Sequence, residues 1–284
     1  MEGIDLSLPP DHPRTEQVLG GSKKSLNVYA GCAKWGRKEW VGLLYPKGTP
    51  ERDFLKHYVT YFNSIELNAT MYRVPNAATV RGWADTAPSG FRFCPKVNQS
   101  ISHRRRLRGA QGETKYFCDV MINFGEKLGP ALLLLPHNFT VKNCDDLIGF
   151  INEFPRDIPL AVEWRHKSWF EESDETKRAF DAMEEAKIIS VITDTAGRRD
   201  ALHMRLTTSS AFIRFQGYDL HPTDYTRIDE WVERITLWTE NGLETLYWFA
   251  HQDNEFHTPG TCAYFVRKVN EKLGAALREP GLIS

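Results

Sequence analysis

The sequence predicts an α/β protein of the (β/α)8 class, a TIM-type barrel behind a loose N-terminal tail. Three observations carry this. Eight short apolar runs recur between residues 27 and 249, each of a length suited to a strand buried on both faces. Stripes of apolar residues at helical spacing fall between them. The rhythm fills ~255 residues, close to the ~250 typical of such barrels. With 41% apolar and 12% aromatic residues, the 284-residue chain can bury a core of that size.

Residues 1–25 carry Pro9-Pro10, Pro13, Gly20-Gly21 and alternating charges without an apolar period. They bury too little to offset ordering entropy and are expected to form a flexible tail. No Gly/Ser linker or charge block interrupts residues 26–284, which are expected to form a single barrel domain. The strands are placed at Asn27–Gly31, Ser64–Asn68, Phe91–Val97, Ala131–Leu135, Leu160–Trp164, Ile188–Thr193, Ala211–Phe215 and Thr245–Phe249. After strand one, Thr49-Pro50 supplies a cap and a first-turn proline for a helix whose buried face is Phe54, Tyr58 and Phe62. Similar stripes follow strands three, four and seven: Phe117, Val120, Met121 and Phe124; Leu147, Ile148 and Ile151; Ile228, Trp231, Val232, Ile235 and Trp238. These faces are core. The irregular unit is Ala196–Thr207, after strand six, with room only for a short helix. A doubly wound open sheet is the rival, but Gly31-Cys32-Ala33-Lys34-Trp35-Gly36 matches neither phosphate-loop pattern that such a sheet would carry at its first turn.

Lys plus Arg number 36 against 37 Asp plus Glu, so no global charge draws the chain to nucleic acid or an anionic membrane. The longest apolar run, Ala131–Leu135, is far short of the ~20 residues of a membrane span. Five scattered cysteines, never in a C-x-x-C pair, argue for reduced thiols. Cys32 and Cys94 flank strand ends and are read as packing. These features predict a cytoplasmic protein without a tightly bound organic cofactor; oligomeric state is left open.

Ionisable residues at the carboxyl ends of barrel strands point toward the mouth, where barrel active sites lie. In Ile65-Glu66-Leu67-Asn68 the period of two puts Glu66 and Asn68 on one side. Lys96 ends strand three, Glu163 and Arg165 end strand five, Asp194 ends strand six, Arg214 and Gln216 end strand seven, and strand eight runs out through His251. Buried charges must pair with each other or with a ligand, so the plainer reading is self-satisfied pairs, Glu163 with Arg214 and Glu66 with Lys96. As a set drawn from five strands, Glu66, Lys96, Glu163, Arg165, Asp194 and Arg214 point to function.

The segments Gly31–Trp35 through Trp40 to Tyr45-Pro46, Ile65–Pro75, Gly90–Phe93 with Lys96 and Ser102-His103, Leu128–Pro136, Val162–His166 with Trp169, and Ile213–Gly217 resemble the YecE-like family, domain of unknown function 72. The resemblance spans nearly everything from strand one onward. It implies a TIM-type barrel and supplies no reaction. It marks Trp35, Glu66, Asn68, Tyr72, Lys96, His103, Glu163, Arg165, His166, Trp169 and Arg214. Ala33-Lys34, Leu134, Gln216 and Ala250-His251 depart from the family's usual residues and imply a subgroup with altered substrate preference.

Three functions are weighed. The first is an enzyme of hydrolase, isomerase or lyase type. In it Glu66 or Glu163, with proton affinity raised by apolar walls and a neighbouring carboxyl, acts as acid or base on a small anionic or polar substrate. Lys96 would stabilise developing negative charge, with Asp194 completing the catalytic set. Arg165 and Arg214 would fork onto the anion, Trp35, Tyr72 and Trp169 would offer flat apolar surfaces, and Asn68, His103, His166, Gln216 and His251 would add polar contacts. The second is a nucleic-acid or phosphate-binding protein using His103-Arg104-Arg105-Arg106 and Arg108. The neutral balance favours a solvated loop there, or a substrate lid hinged at Gly109 and Gly112. The third is a divalent-metal enzyme drawing on Glu66, Glu163, Asp194, His103, His166, His251 and His257. No metal-ligand spacing occurs among them, and Lys96 with two arginines would oppose a cation.

Overall fold

A computed structural model describes residues 5–283. Eight parallel strands run through it: β1 (Asn27–Cys32), β2 (Ser64–Leu67), β3 (Arg92–Pro95), β4 (Ala131–Leu134), β5 (Leu160–Glu163), β6 (Ile189–Thr195), β7 (Ser210–Gln216) and β8 (Thr245–His251). All eight runs read from the sequence are strands, with ends displaced by at most two residues. Helices α1 (Pro13–Leu19), α2 (Phe54–Tyr61), α3 (Ala69–Tyr72), α4 (Ala77–Thr86), α5 (Gln111–Met121), α6 (Cys144–Glu153), α7 (Asp174–Glu185), α8 (Pro222–Glu240) and α9 (Thr258–Leu273) complete the α/β alternation. After β6 there is only one short 3-10 turn, Arg199–Ala201, in the segment expected to be irregular. No helix among the described residues is long and apolar enough to cross a membrane.

The fold is TIM-like, but the main-chain ladder does not close. Six strands pair in the order β1-β8-β7-β6-β5-β4, and β2-β3 form a separate pair. Both gaps have local causes. Lys96 N donates to Leu67 O in β2, and Val97 N donates to Leu132 O in β4. By that alternation the N–H of position 95 would face β4, and position 95 is a proline. Between β1 and β2, side chains replace the ladder. The Tyr58 hydroxyl accepts from Cys32 N at 2.8 Å and donates to Ser64 O at 2.9 Å. Asn63 accepts from Ala30 N and donates to Val28 O. Gly31 permits this approach, because a Cβ there would lie 2.0 Å from Ser64 O.

The strand period of two divides the core. Cys94, Leu132, Ala161, Ile189, Val191, Phe212, Tyr247 and Phe249 fill the interior. Ile65, Phe93, Leu133, Val162, Ile192, Ile213 and Trp248 face the helices and pack with Tyr58, Phe117, Leu147, Ile228 and Trp231, as the stripes foretold.

The expectation of a loose tail is corrected for residues 5–25. His12 accepts from Arg14 N and caps α1, and Thr15 is buried. The Thr15 hydroxyl donates to Met204 O at 2.8 Å and accepts from Leu206 N at 3.0 Å. Asp11 receives Trp238 Nε1 at 2.9 Å. Leu19 enters the core, with Leu8 and Val18 packed against it, but the helix is too short for a repeating stripe, and long-range polar bonds complete the anchoring.

Candidate functional site

Interior parity brings Glu66, Glu163, Arg214 and His251 to one level at the carboxyl ends of their strands, with Lys96 one residue beyond β3. Glu66, Lys96, Glu163, Arg214 and His251 are all buried. The Arg214 guanidinium is the hub. It donates to both oxygens of Glu66, at 2.7 and 3.0 Å, and to Glu163 Oε2 at 2.8 Å. Lys96 Nζ lies 2.8 Å from Glu66 Oε1, and His251 Nε2 lies 3.2 Å from Glu66 Oε2. Both ion pairs anticipated from the sequence, Glu163 with Arg214 and Glu66 with Lys96, are present.

These contacts overturn one electrostatic expectation. Burial pushes the Glu66 carboxyl upward, but Arg214, then Lys96 and His251, outweigh it and hold it well below the usual carboxylate range. Glu163 is likewise held down: burial opposes, and Arg214, Arg165 and Lys96 prevail. Both are fixed anions rather than carboxyls poised near neutrality. The group whose proton affinity moves toward neutrality is Lys96, lowered chiefly by burial although Glu66 opposes the fall.

Above this layer lies Arg165. Its Nε makes a loose 3.4 Å contact with Glu163 Oε1, and its Nη1 meets His137 Nε2 at 3.1 Å. Its side chain is 30% exposed, against 10% or less for Lys96, Arg214 and His251. His103 is half-buried, paired with the Ser102 hydroxyl at 2.8 Å, and burial, Arg165 and His137 lower its proton affinity. His137 did not figure among the sequence candidates. It is the first ionisable residue past β4 and could have been found by the rule that selected Lys96 and His251.

Asp194 is not part of this cluster. It shares the outward parity of Ile192, and is bound by Arg227 Nη2 at 2.8 Å, by Trp231 Nε1 at 2.7 Å and by Arg199. Its expected catalytic place is corrected to a buried anchor between β6 and α8. Trp169 is also corrected: it is buried, donates to Phe139 O at 2.7 Å and packs on Trp164, so it offers no surface to a ligand. His166 accepts from Ser168 N and caps the turn that carries Trp169. Trp35 is half-buried, edge-on to Trp83 at 5.2 Å. Tyr72 is 69% exposed. Gln216 is half-buried and reaches Asp253 at 3.2 Å. The Asn68 carboxamide oxygen is buried without a partner, as is the Thr193 hydroxyl, whose residue pairs in register with Arg214.

Three of the loop's four arginines are spent on their own surroundings, while Arg104 is exposed. Arg105 binds Glu113, Arg106 binds Asn138 and Asn143, and Arg108 forks onto Asp146 with two 2.8 Å bonds. Gly112 lies within α5 and cannot act as a hinge. Among the described residues no three His, Cys, Asp or Glu side chains gather as a metal site would require. Glu66, Glu163 and Asp194 are each already held by cations.

A family model for "Protein of unknown function DUF72" matches residues 29–282. The chain belongs to the DUF72 family. It is 26% identical over 250 residues to the UPF0759 protein YecE of Escherichia coli O157:H7, covering 82% of this chain and 89% of that one. To YunF of Bacillus subtilis it is 26% identical over 157 residues, half of each chain. A DUF72 protein from Enterococcus faecalis V583 superposes with a TM-score of 0.70 at 19% identity, over 90% of this chain and 98% of that one. A DUF72 protein from Thermotoga maritima MSB8 gives a TM-score of 0.66 at 23% identity, over 87% of this chain and 99% of that one. At such identities the structural likeness speaks for the DUF72 fold and leaves the reaction open.

Proposed function

We propose that this DUF72 protein is an enzyme of hydrolase, isomerase or lyase type. It works without an organic cofactor, in the cytoplasm, on a small anionic or polar substrate above the strand ends of a (β/α)8 barrel whose ring side chains complete. The supporting observation is a charge imbalance. Lys96, Arg165 and Arg214 set three positive charges against the two of Glu66 and Glu163 in one cluster. An anion entering beside Arg165 supplies the missing charge where low dielectric strengthens the attraction.

In this reading the carboxylates aim the cations and do not shuttle protons. Lys96 stabilises negative charge developing on the substrate and exchanges a proton with it, because burial brings its proton affinity toward the working range. Asn68 and Thr193, each with an unpartnered oxygen, accept hydrogen bonds from substrate hydroxyls. Exposed Tyr72 offers a ring face.

Calorimetric titration with inorganic phosphate, sulfate and small sugar phosphates tests the reading. Arg165→Met is expected to weaken the best of them about tenfold, the cost of one charge-assisted bond. If none of the anions binds, the reading fails.

A further inference from the structure

Of two histidines at this mouth, His137 contacts Arg165 and His103 lies within the electrostatic reach of both. His103 follows β3, on the turn Ser100–Arg104, and His137 follows β4. His137 Nε2 faces Arg165 Nη1 at 3.1 Å. Since a guanidinium only donates, Nε2 must accept and His137 is neutral, with its proton on Nδ1. Nitrogen-bearing groups from three mouth segments thus act on one another, and Glu163 is the carboxylate that reaches His137. Glu163 is already committed to Arg214 at 2.8 Å and is 3.4 Å from Arg165.

The surroundings are built to hold this arrangement. Arg106 clamps Asn138, next to His137, through Nη1 at 2.5 Å to the side chain and Nη2 at 3.1 Å to the backbone. Arg198 donates to Arg165 O at 3.2 Å and is itself paired with Asp200. Ser102, fully buried, orients His103. The arginine loop therefore braces the mouth.

Resting on the anionic-substrate reading, we propose that His103, His137 and Arg165 together seat a dianionic group of the ligand, a phosphate ester or similar oxyanion, and that the histidines take up protons from solvent as it binds. Without an anion the neighbours disfavour protonation. Burial, then Arg165 and Arg198, lower the proton affinity of His137, with Glu163 opposing weakly. Burial, Arg165 and His137 do the same to His103. A dianion between them reverses the sign of the local field, so binding and protonation are linked.

Inorganic sulfate is the probe, because it stays dianionic between pH 6 and 8 and any proton gained must be on the protein. Calorimetry in two buffers of different ionisation enthalpy should show proton uptake, with sulfate affinity rising as pH falls from 8 to 6, by up to about tenfold per pH unit for each proton taken up. His137→Gln should flatten that slope and weaken sulfate about tenfold at pH 6 and less than about threefold at pH 8. Because His103 sits on a buried serine, the wild-type histidine ring signals are also followed by NMR, and both midpoints should rise in sulfate. Binding that is independent of pH and unchanged in His137→Gln overturns this inference and leaves the anionic reading intact. Absence of binding by sulfate and phosphate at every pH overturns both.

Discussion

Replacing Arg214 with Met removes the guanidinium that three hydrogen bonds tie to Glu66 and Glu163. Glu66 is then left with Lys96 and His251, and Glu163 with the loose contact to Arg165. Removing one partner from a buried ion pair costs about 3–5 kcal/mol, because the remaining charge stays desolvated. At roughly 2 °C per kcal/mol for a chain of this size, the melting temperature should fall by about 6–10 °C at pH 7. The pH dependence carries the stronger test. In the native protein both carboxyls are held below their usual range. Their contribution to stability is therefore present above the unfolded value of ~4.3 and is lost as pH falls through the lower folded values. In Arg214→Met the largest downward pull is gone, burial raises both carboxyls, and protonation relieves the penalty as pH falls toward 5. The gap between wild type and variant, measured by urea unfolding, should narrow from pH 7 to pH 5. A gap below about 1 kcal/mol, or one that does not narrow with pH, would refute the view that these charges act as one buried unit.

Asp194→Asn should cost about 3 kcal/mol, since Arg227 and Arg199 lose their counter-charge, yet leave anion binding within about twofold; calorimetry of the folded variant checks this, and a selective loss of binding would return Asp194 to the mouth. Thr15→Val strands Leu206 N–H, leaves Met204 O with the His12 N–H alone, and should cost about 1–3 kcal/mol in chemical unfolding, whereas an undocked tail would show no change. Tyr58→Phe removes the hydroxyl that joins β1 to β2 and should cost about 1–3 kcal/mol, with faster amide exchange at Cys32. Exchange at Cys32 as slow as in the wild type would mean the seam holds by other contacts.

The strand pattern was legible because both faces of a parallel strand are apolar, so runs such as Ala131–Leu134 stand out against polar connections. The buried cluster was legible for the same reason: Glu66, Glu163 and Arg214 interrupt such runs at their carboxyl ends. Asp194 interrupts its run too, and position along the strand alone could not separate it. Parity could have, since Asp194 alternates with Val191 and Thr193 and shares the face of Ile192. Trp169 and His166 resemble ligand contacts in sequence, but a turn that must bury an indole needs its N–H satisfied and its end capped, and those residues do that. The direction in which Glu66 and Glu163 titrate depends on how many cations reach each carboxylate, a count set by Arg214 bridging β2 and β5 across the interior. The docking of α1 combines Leu19 in the core with long-range bonds from Asp11 and Thr15, which leave no local pattern.

Crystals soaked in selenate, a tetrahedral dianion whose selenium can be located by anomalous scattering, put the account to its most direct test. The expected result is one strong peak within bonding distance of the Arg165 guanidinium and the rings of His103 and His137. A mouth without selenate, in crystals that bind it elsewhere, would contradict the claim that these strand-end charges form a seat for an anion.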